Sequence, residues 1–287
     1  MSLGIPVAQP QTGKEETMMA KSSVLVPGFL LAILVAALPA IAAEQVRIAA
    51  RTEAGEEMQL PGILHKPGGS GPFPAVVMLC GCGGFAKKED AMHQATWAQR
   101  LVGWGYVALR VDSFSPRGPS NICEDTSTVS DDMRSHDAYS AKAYLSALPF
   151  VDPRRIAVMG WSHGGWAVMK IIDGYYRDKT VDPFKAAVAF YPYCQRLYGP
   201  DTPLLVLIGK KDDWCPASYC ESLKQYGAYN DSKYEFTLKI YPNAYHAFDF
   251  EGLKEDLLGH HAEYDPEAAS DAISQARDFL ARYLAAR

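Results

Sequence analysis

The chain has 287 residues, 48% of them hydrophobic and 21% charged, with a formal net charge of −5. That composition suits one large globular α/β domain with a sizeable core, and it is unlike that of a disordered or fibrous chain. It argues against a nucleic-acid partner, because neutralising phosphates takes a basic face and the sequence has no long run of lysine or arginine.

The first stretch differs from the rest. Residues 24–43 carry no charge, 29–38 are strongly apolar, and Lys21 lies just before them. Pro39 and Ala40-x-Ala42 then supply the break and small residues of a cleavage site. Residues 1–43 therefore read as a secretory signal peptide cut near Ala42/Ala43, leaving residues 44–287 as a single domain, periplasmic or secreted, with no stable membrane association. The alternative is an uncleaved anchor, but Pro27, Gly28 and Pro39 shorten the apolar core to signal length. The polar segment 1–17 is long for such a leader, so Met18 and Met19 are alternative starts.

After the leader, 45–51 and 60–65 read as an opening hairpin. The fully apolar run 75–79 has the pattern of a strand buried on both faces, and it discharges into the glycine-rich loop Cys80-Gly81-Cys82-Gly83-Gly84. Apolar residues at helical spacing predict a helix over 91–104, followed by a strand at 106–111 and a second helix over 130–148. A β-branched run then ends in Gly160-x-Ser162-x-Gly164, the strand-turn-helix corner of a nucleophile elbow. Strands at 186–191, 204–208 and 235–241 follow, with helices over 216–229 and 266–286. Such alternation gives a mostly parallel central sheet of about eight strands with helices on both faces, which presents its site at the carboxyl ends of the strands. No stretch reads as a second domain or a large inserted lid.

If Ser162 is a nucleophile it needs a base, and the base an orienting acid, in the order Ser, Asp or Glu, His. The loop after 204–208 offers Asp212 and Asp213, and Asp212 is preferred because it sits directly at the turn. The loop after 235–241 offers His246. Developing oxyanion charge needs preorganised N–H donors. The backbone of His163, after the serine, supplies one, and the backbone of Cys82 is the choice for the other. His65, His93 and His136 lie on a strand end or on helices, and 260–265 reads as a solvated loop rather than a metal site. Cys80-x-Cys82 and the pair Cys215 and Cys220 lack zinc-module spacing, so no metal is expected.

These motifs, with Asp112-Ser113-Phe114-x-Pro116-Arg117-Gly118, Asp152-Pro153-x-Arg155-Ile156, Gly209-x-x-Asp212-x-x-x-Pro216 and His246-Ala247-Phe248, resemble the dienelactone hydrolase family of α/β-hydrolases from about Val46 onward. The resemblance implies the α/β-hydrolase fold and hydrolysis of small carboxylic esters or lactones through an acyl-enzyme, without cofactor or metal. It carries the nucleophile onto Ser162, the acid onto Asp212 and the base onto His246. The family's namesakes use a cysteine nucleophile, and relatives usually have histidine where Cys80 stands, so the namesake's lactone does not transfer. Arg117, Trp161 and Trp214 are candidate substrate contacts, with an arginine–aspartate pair the alternative for Arg117. Cys82 with Cys123 and Cys194 with Cys220 are the expected disulfides, each bracing strand-end loops, while Cys80 and Cys215 stay free or pair with each other. Two other readings share these residues: a peptidase-like serine hydrolase, and a binding protein that keeps the fold without turnover.

Overall fold

The computed structural model describes residues 43–52, 54–175 and 180–286. The expected signal peptide and its cleavage site lie outside the described residues, apart from Ala43. Pro39–Arg287 forms one compact unit. Among the described residues no helix is long and apolar enough to cross a membrane.

Strands β1 (Ala43–Arg51) and β2 (Glu57–His65) form the expected hairpin, with the alternation of buried and exposed residues proper to a sheet edge. Next come β3 (Phe73–Leu79), α1 (Lys88–Gly103), β4 (Val107–Val111), α2 (Asp131–Ser146), β5 (Val151–Trp161), α3 (His163–Ile171), β6 (Ala187–Phe190) and β7 (Leu204–Gly209). The chain ends with α4 (Ala217–Tyr226), β8 (Phe236–Tyr241), the small strands β9 (Lys254–Leu257) and β10 (His260–Glu263), and α5 (Pro266–Leu284). The main sheet has eight strands in the order β1-β2-β4-β3-β5-β6-β7-β8. Strand β2 runs antiparallel to both of its neighbours, whereas β4-β3-β5-β6-β7-β8 are all parallel.

The core follows from the sequence pattern. Strands β4, β6 and β7 are buried at every position, and so is β3 from Ala75 onward, because helices cover both faces of the sheet. Ser130 caps α2 by accepting the Met133 N–H, and Asp265 caps α5 by accepting those of Glu267 and Ala268, with Pro266 in the first turn. Two differences from the sequence reading bear on the site. The helix expected over 216–229 stops at Tyr226 and gives way to a short 3₁₀ turn. Residues 254–263, expected in part as a solvated loop, form the antiparallel β9–β10 hairpin.

Candidate active site

The carboxyl ends of β3, β5, β7 and β8 meet at Ser162. The corner between β5 and α3 is sharp enough to force Ser162 to φ 52°, ψ −118°, where side chains are rarely tolerated. Glycine at 160 and 164 makes the corner possible. A Cβ on Gly160 would overlap the carbonyl of Gly164, and one on Gly164 would overlap the carbonyls of Leu79 and Cys80.

His246 follows β8, and its Nε2 lies 3.0 Å from Ser162 Oγ. Its Nδ1 lies 2.8 Å from Asp212 Oδ2, with both side chains buried. An ionised carboxylate only accepts, so Nδ1 carries the proton and Nε2 is left to accept from the serine hydroxyl. The other carboxylate oxygen of Asp212 accepts the backbone N–H groups of Trp214 (3.0 Å) and Cys215 (2.7 Å), which fixes the acid in place. Asp213 instead faces outward, 3.3 Å from His260 Nδ1.

The glycine-rich loop lies against the elbow: a Cβ on Gly81 would stand 3.5 Å from that of Ser162. Beneath both lies a buried cation. Arg134 donates through Nη2 to Cys80 O at 2.7 Å and through Nη1 to His163 Nδ1 at 2.8 Å. Burial first, and then this guanidinium, push His163 down to a pKa of about 3. His163 is therefore a neutral imidazole protonated on Nε2, where it has no hydrogen-bond partner among the described residues. Burial raises the Cys80 thiol, and Arg134 opposes that rise without cancelling it.

Ser162 and His246 open on a cavity of about 410 Å³ whose walls include Trp161, Tyr191, Trp214 and the β9–β10 hairpin. Trp214 packs its ring 5.1 Å from that of His246 and stacks on His260 at 5.0 Å. Trp161 also lines the cavity, with its indole N–H given to Asp249 at 3.1 Å. Arg117 corrects the expectation of a substrate contact. It makes a two-pronged pair with Asp137, both bonds 2.9 Å, donates to Ser113 O, and is not part of the cavity wall.

Asp249 is a buried carboxylate beside the site that sequence reasoning missed. This buried carboxylate also accepts from Trp97 (2.7 Å) and Tyr191 (2.7 Å) and lies 3.0 Å from His93 Nε2. Burial alone would raise its pKa, but His93 and the hydrogen bonds from Tyr191 and Trp97 outweigh it and hold the carboxyl below its usual value. The network fixes the aromatic wall beside His246, whose ring lies 4.8 Å from that of Tyr191. Two disulfides brace the surrounding loops, Cys82–Cys123 and Cys194–Cys220, while Cys80 and Cys215 are free and buried.

A Synechocystis sp. protein named "Putative carboxymethylenebutenolidase" is 24% identical over 253 residues, covering 78% of this chain and 92% of its own length. The dienelactone hydrolase-like promiscuous phosphotriesterase P91, from metagenomic libraries, superposes with a TM-score of 0.65 at 19% identity, covering 84% of this chain and 99% of that one. Porphyromonas gingivalis dipeptidyl peptidase 4 superposes with a TM-score of 0.60 at 20% identity over 85% of this chain, but only 36% of its own. At these identities the structural likenesses establish the α/β-hydrolase fold. Membership rests on sequence: residues 60–284 match the dienelactone hydrolase family along nearly the whole sheet and both flanks of the elbow, and the chain belongs to that family of hydrolases.

Proposed function

We propose that this hydrolase cleaves carboxylic esters or lactones of small molecules through an acyl-enzyme on Ser162. Ser162 Oγ attacks the carbonyl carbon as His246 Nε2 takes its proton, and Asp212 holds the imidazole in the required tautomer and stabilises its charged form. The backbone N–H groups of Cys82 and His163 receive the oxyanion. Collapse of the tetrahedral intermediate expels the alcohol, which leaves with the proton from His246. Water then attacks the acyl-enzyme with His246 again acting as base, and the acid is released. This route needs no metal or organic cofactor.

The observation that carries this reading is the continuous relay of 3.0 and 2.8 Å from Ser162 through His246 to Asp212, opening on a cavity. We assign the protein to the periplasm or the exterior, with residues 1–43 as its cleaved signal. Two disulfides favour an oxidising compartment.

A fluorophosphonate probe should label the wild type and fail to label Ser162→Ala. A panel of p-nitrophenyl esters and lactones of graded acyl size then ranks substrates, and aminoacyl p-nitroanilides in the same panel test the peptidase reading. Well-folded wild type that takes no label would overturn the acyl-enzyme mechanism in favour of a binding role. N-terminal sequencing of exported protein checks cleavage near Ala42/Ala43.

A further inference from the structure

The first turns of α1 bring Asp90, His93 and Gln94 to the cavity that holds Ser162. Asp90 and Gln94 stand four residues apart and so share one face of the helix. Asp90 Oδ2 lies over the glycine-rich loop, 2.6 Å from where a Cβ on Gly83 would be. The carboxylate is half-buried, and among the described residues no hydrogen bond reaches it. Gln94 is 3% exposed, and its Oε1 is buried with no hydrogen-bond partner among the described residues. Glu251 and Glu255 also line the cavity and add acceptors; burial raises the Asp90 pKa, Lys87 and His93 oppose that rise without cancelling it, and Glu255 adds to it. Of the two lysines at this cavity, Lys254 is bound to Glu263 at 2.7 Å, and Lys87 faces solvent beside Asp90.

This part of the cavity therefore presents acceptors that lack donors. A desolvated acceptor left unpaired is costly, so the ligand that completes the site must bring N–H groups. An apolar acyl chain would leave Gln94 Oε1 orphaned, and a carboxylate-bearing ester would meet Asp90 with like charge. An ammonium satisfies both. The aromatic wall agrees, since Phe250 lines the cavity and a cation is attracted to the face of such a ring. Position also matters for catalysis. A carboxylate over Gly83, next to Cys82, opposes the negative charge that grows on the substrate oxygen, and a bound ammonium offsets that opposition when it counts most.

Resting on the ester-hydrolase reading, we infer that the physiological substrate is an ester carrying a primary ammonium group, held by Asp90 and Gln94, with Asp90 as the specificity-determining residue. The test compares p-nitrophenyl esters of an ω-aminoalkanoic acid, of the alkanoic acid of equal length, and of the matching dicarboxylic acid. The wild type should favour the cationic ester over the neutral one in kcat/KM by about tenfold, the size of one charge-assisted contact, and should turn over the anionic ester least. The cationic preference should fall toward parity in Asp90→Asn and fall partway in Glu255→Gln, which changes an exposed residue of the hairpin. Equal treatment of the three esters, or an unchanged preference in Asp90→Asn, overturns the inference while leaving the esterase reading intact.

A calorimetric titration with phenethylammonium, against phenethyl alcohol as the neutral control, probes the same site even if no ester is turned over. Tighter binding of the ammonium, weakened in Asp90→Asn, supports the site. Equal binding of the two sinks it. Failure of the mechanism itself would appear separately, as absent probe labelling of Ser162.

Discussion

Asp212 and Asp213 are neighbours in sequence, yet Asp212 is buried with three donors converging on it while Asp213 reaches out to His260. Replacing Asp212 by Asn removes the acceptor that keeps the His246 proton on Nδ1, so kcat should fall by about 10⁴-fold. Asp213→Asn should cost less than about twofold, as an exposed ion pair contributes little. Steady-state kinetics on one p-nitrophenyl ester checks both. Next to the serine, His163 has a different consequence. Its folded pKa of about 3 lies far below the roughly 6.5 of an unfolded chain, so acid protonates the unfolded state first. The stability this neutral imidazole contributes is complete above about pH 6.5 and is lost as pH falls from there toward about 3, at up to about 1.4 kcal/mol per pH unit. His65, pushed down to about 4 by burial and by Arg110, acts with the same sign. Urea midpoints should therefore drop between about pH 7 and about pH 5, and the drop should be shallower in His163→Gln.

The elbow is where element packing decides chemistry. The strain at Ser162, of order 1–3 kcal/mol, is held by close packing on both sides of the corner: only hydrogen fits at Gly160, against the start of α3, and at Gly164, against the end of β3. Gly164→Ala would drive a methyl into the carbonyls that end β3, and we expect it to destabilise the fold by about 3 kcal/mol or more in urea unfolding and to abolish probe labelling. This corner was legible in the sequence because its glycines and serine fall at fixed spacing after an apolar run. So were the parallel strands, whose two-sided burial leaves unbroken apolar runs. The β9–β10 hairpin was not. Its strands, Lys254–Leu257 and His260–Glu263, contain no β-branched residue, and they are joined by Leu258-Gly259 at φ 53° and 86°. Two residues at positive φ make a tight hairpin turn, but the usual Asn-Gly or Asp-Gly signal is missing.

Across the whole molecule, the residues that follow the chain order of the elbow and its partner loops could be read in advance, and those that meet only through the fold could not. Asp249 draws its donors from α1, the end of β5 and the residue after β6, with 156 positions separating it from His93. Nothing local in the sequence marks such a convergence. Cysteine pairing lies between the two cases, since the expected pairs formed because the segments that carry them follow neighbouring strands. The two bridges have different consequences. Cys194–Cys220 ties the loop after β6 to α4 across 26 positions, and Cys82–Cys123 ties the glycine-rich loop to the loop after β4 across 41. Loop-closure entropy assigns each about 3–4 kcal/mol, so the two serine double variants should lose similar stability in urea. Their activities should diverge. Cys194→Ser/Cys220→Ser leaves the loop beside Ser162 in place, and kcat/KM at low temperature should stay near that of the wild type. Cys82→Ser/Cys123→Ser frees the loop that presents the Cys82 N–H, and on the proposed mechanism the loss should appear in kcat more than in KM, because an oxyanion donor acts on the transition state. Equal kcat in the two double variants would assign both bridges to stability alone.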